Sequence, residues 1–192
     1  MDLSETYRSI ARRYFPDAII VADRFHVVRL INQHFLKVWQ QHHPDGRKNR
    51  GLLSLMRRHQ WNLRDEQHAS LMSYLADFPA LQALYVAKQK LIRFMLLKTL
   101  TAKRARKQLP RYLELLEQLQ DSPLRTVVKT LKSWMGAILA MWRFSKTNGI
   151  TEGFHNKMEM MSRRAHGFRN FENYRLRVLT HCGWDGIINR VR

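Results

Sequence analysis

Apolar residues recur every three or four positions along most of the chain, the repeat of a helix that buries one face. Leu3, Tyr7, Ile10, Ala11 and Tyr14 form the first such stripe, and Pro16 ends it. Ala18–Ala22, "AIIVA", is a short β-branched run and the best strand candidate in the chain. Asp23 opens a second helical pattern through Phe25, Val28, Ile31, Phe35, Val38 and Trp39. "HHPDGRKNRG", with Pro44 and Gly46, reads as a polar loop. From Leu52 onward the pattern is helical, with breaks expected near Trp61–Asp65, Phe78–Pro79, Pro110, Asp121–Pro123 and Asn148–Gly149, so about four or five helices follow. A lone strand cannot satisfy its own backbone groups. Ala18–Ala22 therefore pairs with something outside the chain, or forms an edge or an irregular segment.

Charge changes the picture most. Lys and Arg number 34 against 15 acids in 192 residues, a net charge of +19. Such a balance points to a polyanion, most commonly nucleic acid. The bases are clustered. No acid lies between Asp77 and Glu114, where Lys88, Lys90, Arg93, Lys98, Lys103, Arg104, Arg106, Lys107 and Arg111 fall. Lys157, Arg163, Arg164, Arg169, Arg175 and Arg177 form a second group. Phosphate contacts of this kind give salt-dependent affinity without sequence information. The 45% apolar content supports a folded core, and no apolar run is long enough for a membrane span. Cys182 is the one cysteine, which excludes an internal disulfide or a multi-cysteine zinc site. A cytoplasmic protein is expected, with no membrane partner.

Against that charge, Glu152 stands out in "TNGITEGFHNKMEMMSRRAHGF". On a helix over Thr151–Ala165, Glu152, Asn156, Glu159 and Arg163 share one stripe, and Phe154, Met158, Met161 and Ala165 the opposite one. Asn148 or Thr151 is a plausible N-cap. Glu152 is then either a carboxylate favoured by the positive end of the helix dipole or a metal ligand. Asp23 poses the same choice: it follows a strand pattern, where α/β folds place chemistry, and it also precedes a helix, where it would cap the N–H of His26.

"GITEGFHNKMEMMSRRAHGFRNFENYRLRVL" closely resembles the C-terminal signature of bacterial DDE transposases of the ISL3 insertion-sequence family. The matching residues are Asn148-Gly149, Glu152-Gly153, Asn156, Arg163-Arg164, Gly167 through Phe171, and Tyr174 through Arg177. "FPDAIIVADRFHVVRLIN" is similar to the family's strand followed by Asp-x-x-His, here Asp23 and His26. "MDLSETYRSIARRYFP" resembles the segment that carries a catalytic Asp, here Asp2. The middle of the chain fits the family's helical insertion more loosely.

The resemblance implies a mostly α chain: the C-terminal remnant of an RNase H-like α/β catalytic domain, with about one strand left and an all-helical insertion. It divides the chain into a partial core (1–42), a helical insertion (43–146), the catalytic-Glu helix and last core helix (147–180) and a tail (181–192). It implies Asp2 and Glu152 as catalytic and metal-binding acids, with Mg²⁺ or Mn²⁺ as the expected ions, because hard divalent cations take oxygen ligands. Asp23, His26 and Asn156 are then supporting residues. Lys88, Lys90, Arg93, Lys98, Lys103, Arg104, Arg106, Lys107, Lys157, Arg163, Arg164 and Arg169 are the expected DNA contacts. The first family acid has no counterpart, so a truncated transposase, inactive alone, is the expectation. DNA at element ends and target is the implied partner, with self-association or mixed oligomers with a full-length transposase, near the nucleoid. The competing expectation is a non-catalytic basic helical protein that binds DNA or regulates a full-length transposase.

Overall fold

The computed structural model describes residues 1–144 and 149–182. Among them every regular element is helical: α1 (Glu5–Tyr14), α2 (Arg24–His42), α3 (Pro44–Lys48), α4 (Arg50–Arg57), a 3-10 turn over Gln60–Asn62, α5 (Asp65–Ala76), α6 (Pro79–Leu96), α7 (Ala102–Gln118), α8 (Ser122–Ser133), α9 (Met135–Ala140), α10 (Gly149–Arg164) and α11 (Phe171–Cys182). The chain forms two compact units, Met1–Ser145 and Lys146–Arg192.

Short polar side chains start many of these helices. Ser4, Asn49 and Thr101 each accept a hydrogen bond from the backbone N–H three residues on. Pro44, Pro79 and Pro123 lie in first turns, where the missing N–H has no helical partner to lose. Two expected breaks are thus helix starts. "PDGRK", expected as loop, is the short helix α3. Pro110 does not break α7. It sits exposed inside that helix, and only the Arg106 carbonyl loses its i+4 donor. The break falls instead at residues 97–101, where "LKTLT" ends with the Thr101 cap.

In the first unit the long helices α2 and α6 are the antiparallel spine. The start of α2 (Val27, Ile31) shares a core with the end of α6 (Leu91, Ile92, Phe94, Met95) and with α7, α8 and α9. The end of α2 (Phe35, Leu36, Val38, Trp39) shares a second core with the start of α6 (Leu81, Leu84, Tyr85), α4 and α5. Buried positions recur at helical spacing in α7 (Ala105, Leu109, Leu113, Leu116) and in α8 (Leu124, Val127, Val128, Leu131).

The expected strand at Ala18–Ala22 is corrected: the segment runs extended but makes no assigned strand. Its hydrogen bonds explain why. The Met1 N donates to the Val21 carbonyl at 2.6 Å and the Asp23 N to the Met1 carbonyl at 2.7 Å. That is the rung of a parallel pair centred on Met1 and Ala22. Ala22 N turns the other way, to the Ala137 carbonyl at 2.9 Å. One rung is too short a ladder to make a strand.

The second unit is a helical hairpin of α10 and α11. Its turn is written in "AHGFRNF". His166 (φ 51) and Gly167 (φ 92) close α10, with Gly167 N bonded to the Ser162 carbonyl and His166 N to the Arg163 carbonyl, the Schellman arrangement. Asn170 then caps α11, accepting from Glu172 N at 2.8 Å.

Candidate functional site

Asp2, Asp23 and His26 meet at the start of α2. Asp23 is the N-cap. Its Oδ1 accepts from Phe25 N at 2.8 Å, one residue earlier than the His26 N–H expected from sequence. The cap fixes the carboxylate, and the positive end of α2 favours its charge. Its second oxygen is left facing the imidazole: Asp23 Oδ2 lies 3.2 Å from His26 Nδ1, and Asp2 Oδ1 lies 3.3 Å from the same nitrogen. That Nδ1 is buried and aligned for a hydrogen bond with neither oxygen. The parallel rung between Met1 and Ala22 brings the two acids side by side, because each directly follows one of the paired residues.

Ligand atoms of Asp2, Asp23 and His26 all lie within 4.8 Å of one another. Asp23 is mostly covered (14% exposed), while Asp2 stays open at 49%. Asp2 and His26 line a cleft of about 250 Å³ with Ser4, Arg29 and Gln33. Two carboxylates and an imidazole form a donor set suited to a divalent cation such as Mn²⁺. A buried nitrogen without an aligned partner is the group such an ion would satisfy. The residues present fit a metal.

Glu152 lies in the first turn of α10, exposed, in the second compact unit. Asn156 is one turn further and also exposed. Met158, Met161 and Ala165 are half-buried as the stripe predicts, whereas Phe154, expected on the same side, is exposed. Glu159 pairs with Arg163 at 2.6 Å. Asn148, one of the two expected caps, lies outside the described residues. Thr151, the other, falls inside α10 rather than before it.

Most of the expected phosphate contacts are surface cations. Lys90 and Arg93 are exposed on α6, Lys98 follows it, and Lys103, Arg104, Arg106 and Lys107 crowd the first turns of α7. Those four sit at the positive end of a helix whose first turn holds no acid, an arrangement unfavourable until an anion approaches. Lys157, Arg163, Arg164 and Arg169 are exposed in the second unit.

Lys88 is the correction. It is 2% exposed, its Nζ donates to the Met56 carbonyl at 2.6 Å, and it lies over the Phe35 ring at 4.6 Å. It therefore cannot reach a phosphate; it satisfies a carbonyl at the C-terminal end of α4. Burial pushes its pKa down to about 7. Its sequence neighbourhood of bases hid this, and the signal missed was its place on the apolar stripe of α6 between Leu84 and Ile92.

Trp134 is also structural: it is buried, donates Nε1–H to Glu5 Oε1 at 3.0 Å, and carries Arg8 over its ring at 4.4 Å, which ties α1 to the start of α9. Arg143, exposed beside Phe144 at the end of α9, was not anticipated; an isolated Arg after an apolar run carries no motif.

The chain is 27% identical over 186 residues to the transposase for insertion sequence element IS1001 of Bordetella parapertussis, covering 93% of this chain and 45% of that protein. A 65-residue stretch is 31% identical to an ATP-dependent protease of Lactococcus lactis subsp. lactis, covering 34% of this chain and 21% of that protein. The chain thus spans less than half the length of either curated relative. No solved structure matches significantly. Among the described residues, no helix is long and apolar enough to cross a membrane. The family model described as a transposase, of the DDE type carried by ISL3 elements, matches residues 1–178, and the chain belongs to that transposase family.

Proposed function

We propose that this chain supplies part of the metal-dependent centre of a DNA strand-cleaving and strand-transferring enzyme, on a remnant of an RNase H-like sheet. The observation that carries the reading is the convergence of Asp2, Asp23 and His26 within 4.8 Å at an open cleft of a chain of net charge +19. The parallel rung between Met1 and Ala22 supports the sheet.

Asp2, the most open of the three, is a metal ligand in this reading, and the family resemblance adds Glu152 as a further metal-binding acid. Asp23 and His26 position Asp2. The helix cap anchors Asp23, and the Asp23 and Asp2 carboxylates both lie against the His26 Nδ1, at 3.2 and 3.3 Å. Bound Mg²⁺ or Mn²⁺ would activate the attacking oxygen and stabilise the leaving one at a DNA phosphodiester. The exposed bases of α6, α7 and α10 hold the phosphate backbone and carry no sequence choice.

The test measures Mn²⁺ binding by electron paramagnetic resonance and DNA binding by anisotropy in the same samples. Asp2→Asn should abolish most Mn²⁺ binding and leave DNA affinity unchanged or slightly raised, since a negative charge is lost. Glu152→Gln should weaken Mn²⁺ binding with the same null effect on DNA. Wild-type Mn²⁺ affinity in the Asp2→Asn variant would refute the metal reading. DNA affinity that does not fall with salt would refute the phosphate reading.

A further inference from the structure

The cleft at the start of α2 holds more than acids and an imidazole. His26, Arg29, Leu30 and Gln33 fall on one stripe of that helix, and all four line the cleft. Val27, Ile31 and Phe35 set the buried side. The cleft wall therefore carries an imidazole, then a guanidinium, then a carboxamide, leading away from the acid at the cap.

Two arginines stand close to that cap, and they are used differently. Arg24 turns to α9: its guanidinium approaches the Met141 carbonyl at 3.5 Å and lies 5.8 Å from the Trp142 ring. Arg29 is exposed, lines the cleft together with Asp2, and makes no ion pair among the described residues. A guanidinium that shares a cleft with a carboxylate without pairing to it keeps its donors for a third group. The acids ask that group for a cation, and the guanidinium asks it for an anion. A divalent ion alone meets only the first demand and is repelled by Arg29. A phosphodiester that turns one oxygen to the ion and another to the guanidinium meets both. The cleft, about 250 Å³, is smaller than the roughly 300–1,000 Å³ of small-ligand sites, which suits one phosphate group rather than a whole nucleotide.

We propose that Arg29 is a substrate-binding residue that holds the DNA phosphate meeting the metal ion at Asp2. This rests on the metal-dependent reading above and adds the side chain that ties ion and strand together. The exposed bases of α6 and α7 grip the backbone whether or not an ion is bound. Arg29 acts on the phosphate at the ion, so its signature is coupling: Mn²⁺ and DNA each bind more tightly when the other is present, by the same factor.

Mn²⁺ binding is measured by electron paramagnetic resonance on the full chain, alone and with a saturating short DNA duplex, after subtracting the signal of Mn²⁺ with duplex only. In the wild type the duplex should raise Mn²⁺ affinity at least about fivefold. Arg29→Ala should leave Mn²⁺ affinity without DNA equal or higher, since a cation beside the ion is removed, and should cut the gain from DNA to below about twofold. Arg29→Lys should also lose most of the gain, because a point charge lacks the two-pronged fork that fits a phosphate; it decides the matter if Arg29→Ala lowers the melting temperature. Lys90→Ala, on the exposed side of α6, should weaken DNA binding and keep the gain. Three results overturn the role of Arg29 and leave the metal reading standing: no gain in a wild type that binds both Mn²⁺ and DNA, a gain that survives both Arg29 variants, or a gain lost equally in Lys90→Ala. A wild type without Mn²⁺ affinity overturns both.

Discussion

Lys88→Met separates the two things the buried lysine does. The amine lies in the core between Tyr85 and Phe35 with one oxygen partner, the Met56 carbonyl. Its pKa is lowered from 10.5 to about 7 by burial. Above pH 7 the folded chain therefore holds a neutral amine while the unfolded chain still binds the proton up to about pH 10.5. The unfolded state carries more protons across that window, so stability rises with pH there. At about 1.36 kcal/mol per pK unit, the contribution changes by roughly 3 kcal/mol between pH 7 and pH 9.5. Methionine keeps the length and loses the amine. At pH 7 it removes the cost of the buried charge but leaves the Met56 carbonyl short of a donor, worth about 1–3 kcal/mol. The variant should therefore be more stable than wild type by about 1–3 kcal/mol at pH 7 and equal or slightly less stable at pH 9.5. Urea unfolding at half-unit steps of pH measures the difference. His59, also pushed down by burial and by Lys88, titrates below this window. A difference constant within about 0.5 kcal/mol would show that the folded lysine keeps an ordinary pKa, and the argument fails.

Other expectations follow from single contacts. Gly46→Ala should destabilise by about 1–3 kcal/mol in urea titration, because the new Cβ runs into the His43 ring and falls 2.8 Å from the Tyr74 hydroxyl in a packed site. Tyr74→Phe should cost about 1–3 kcal/mol, since that hydroxyl accepts from Trp39 Nε1 at 2.9 Å and faces His43 Nδ1 at 2.7 Å. Pro110→Ala should raise the melting temperature, worth about 1–3 kcal/mol, by returning a donor to the Arg106 carbonyl on an exposed helix face. Asp23→Ala should cost about 1 kcal/mol by losing the α2 cap and should also weaken Mn²⁺ binding. Asp23→Asn should keep most of the stability and still weaken the metal, which separates capping from positioning.

Much was legible before any coordinates. Helical spacing along α2 and α8, the helix opened by Asp23, and the helix starts at Pro79 and Pro123 are local physics. Each depends on residues within one or two turns, so the code for them sits in a short window. Asp2, Asp23, His26 and Glu152 were singled out by resemblance and by the oddity of acids in a basic chain. What only tertiary structure decided involves residues far apart in sequence. Ala18–Ala22 has every local mark of a strand, yet a strand is a property of two segments, and a single rung with Met1 leaves it merely extended. Lys88 has the composition of a phosphate contact, and only the packing of α4 against the spine turns it inward to a carbonyl. Pro110 leaves the Arg106 carbonyl without its helical donor, and only the fold shows that α7 carries on through it with the proline on an exposed face. Arg29 shares the helical stripe of His26, but only the rung that seats Asp2 beside α2 makes a cleft of them. Local propensity is encoded by neighbours; burial and convergence are encoded by the whole fold, and chemistry at a site follows from those.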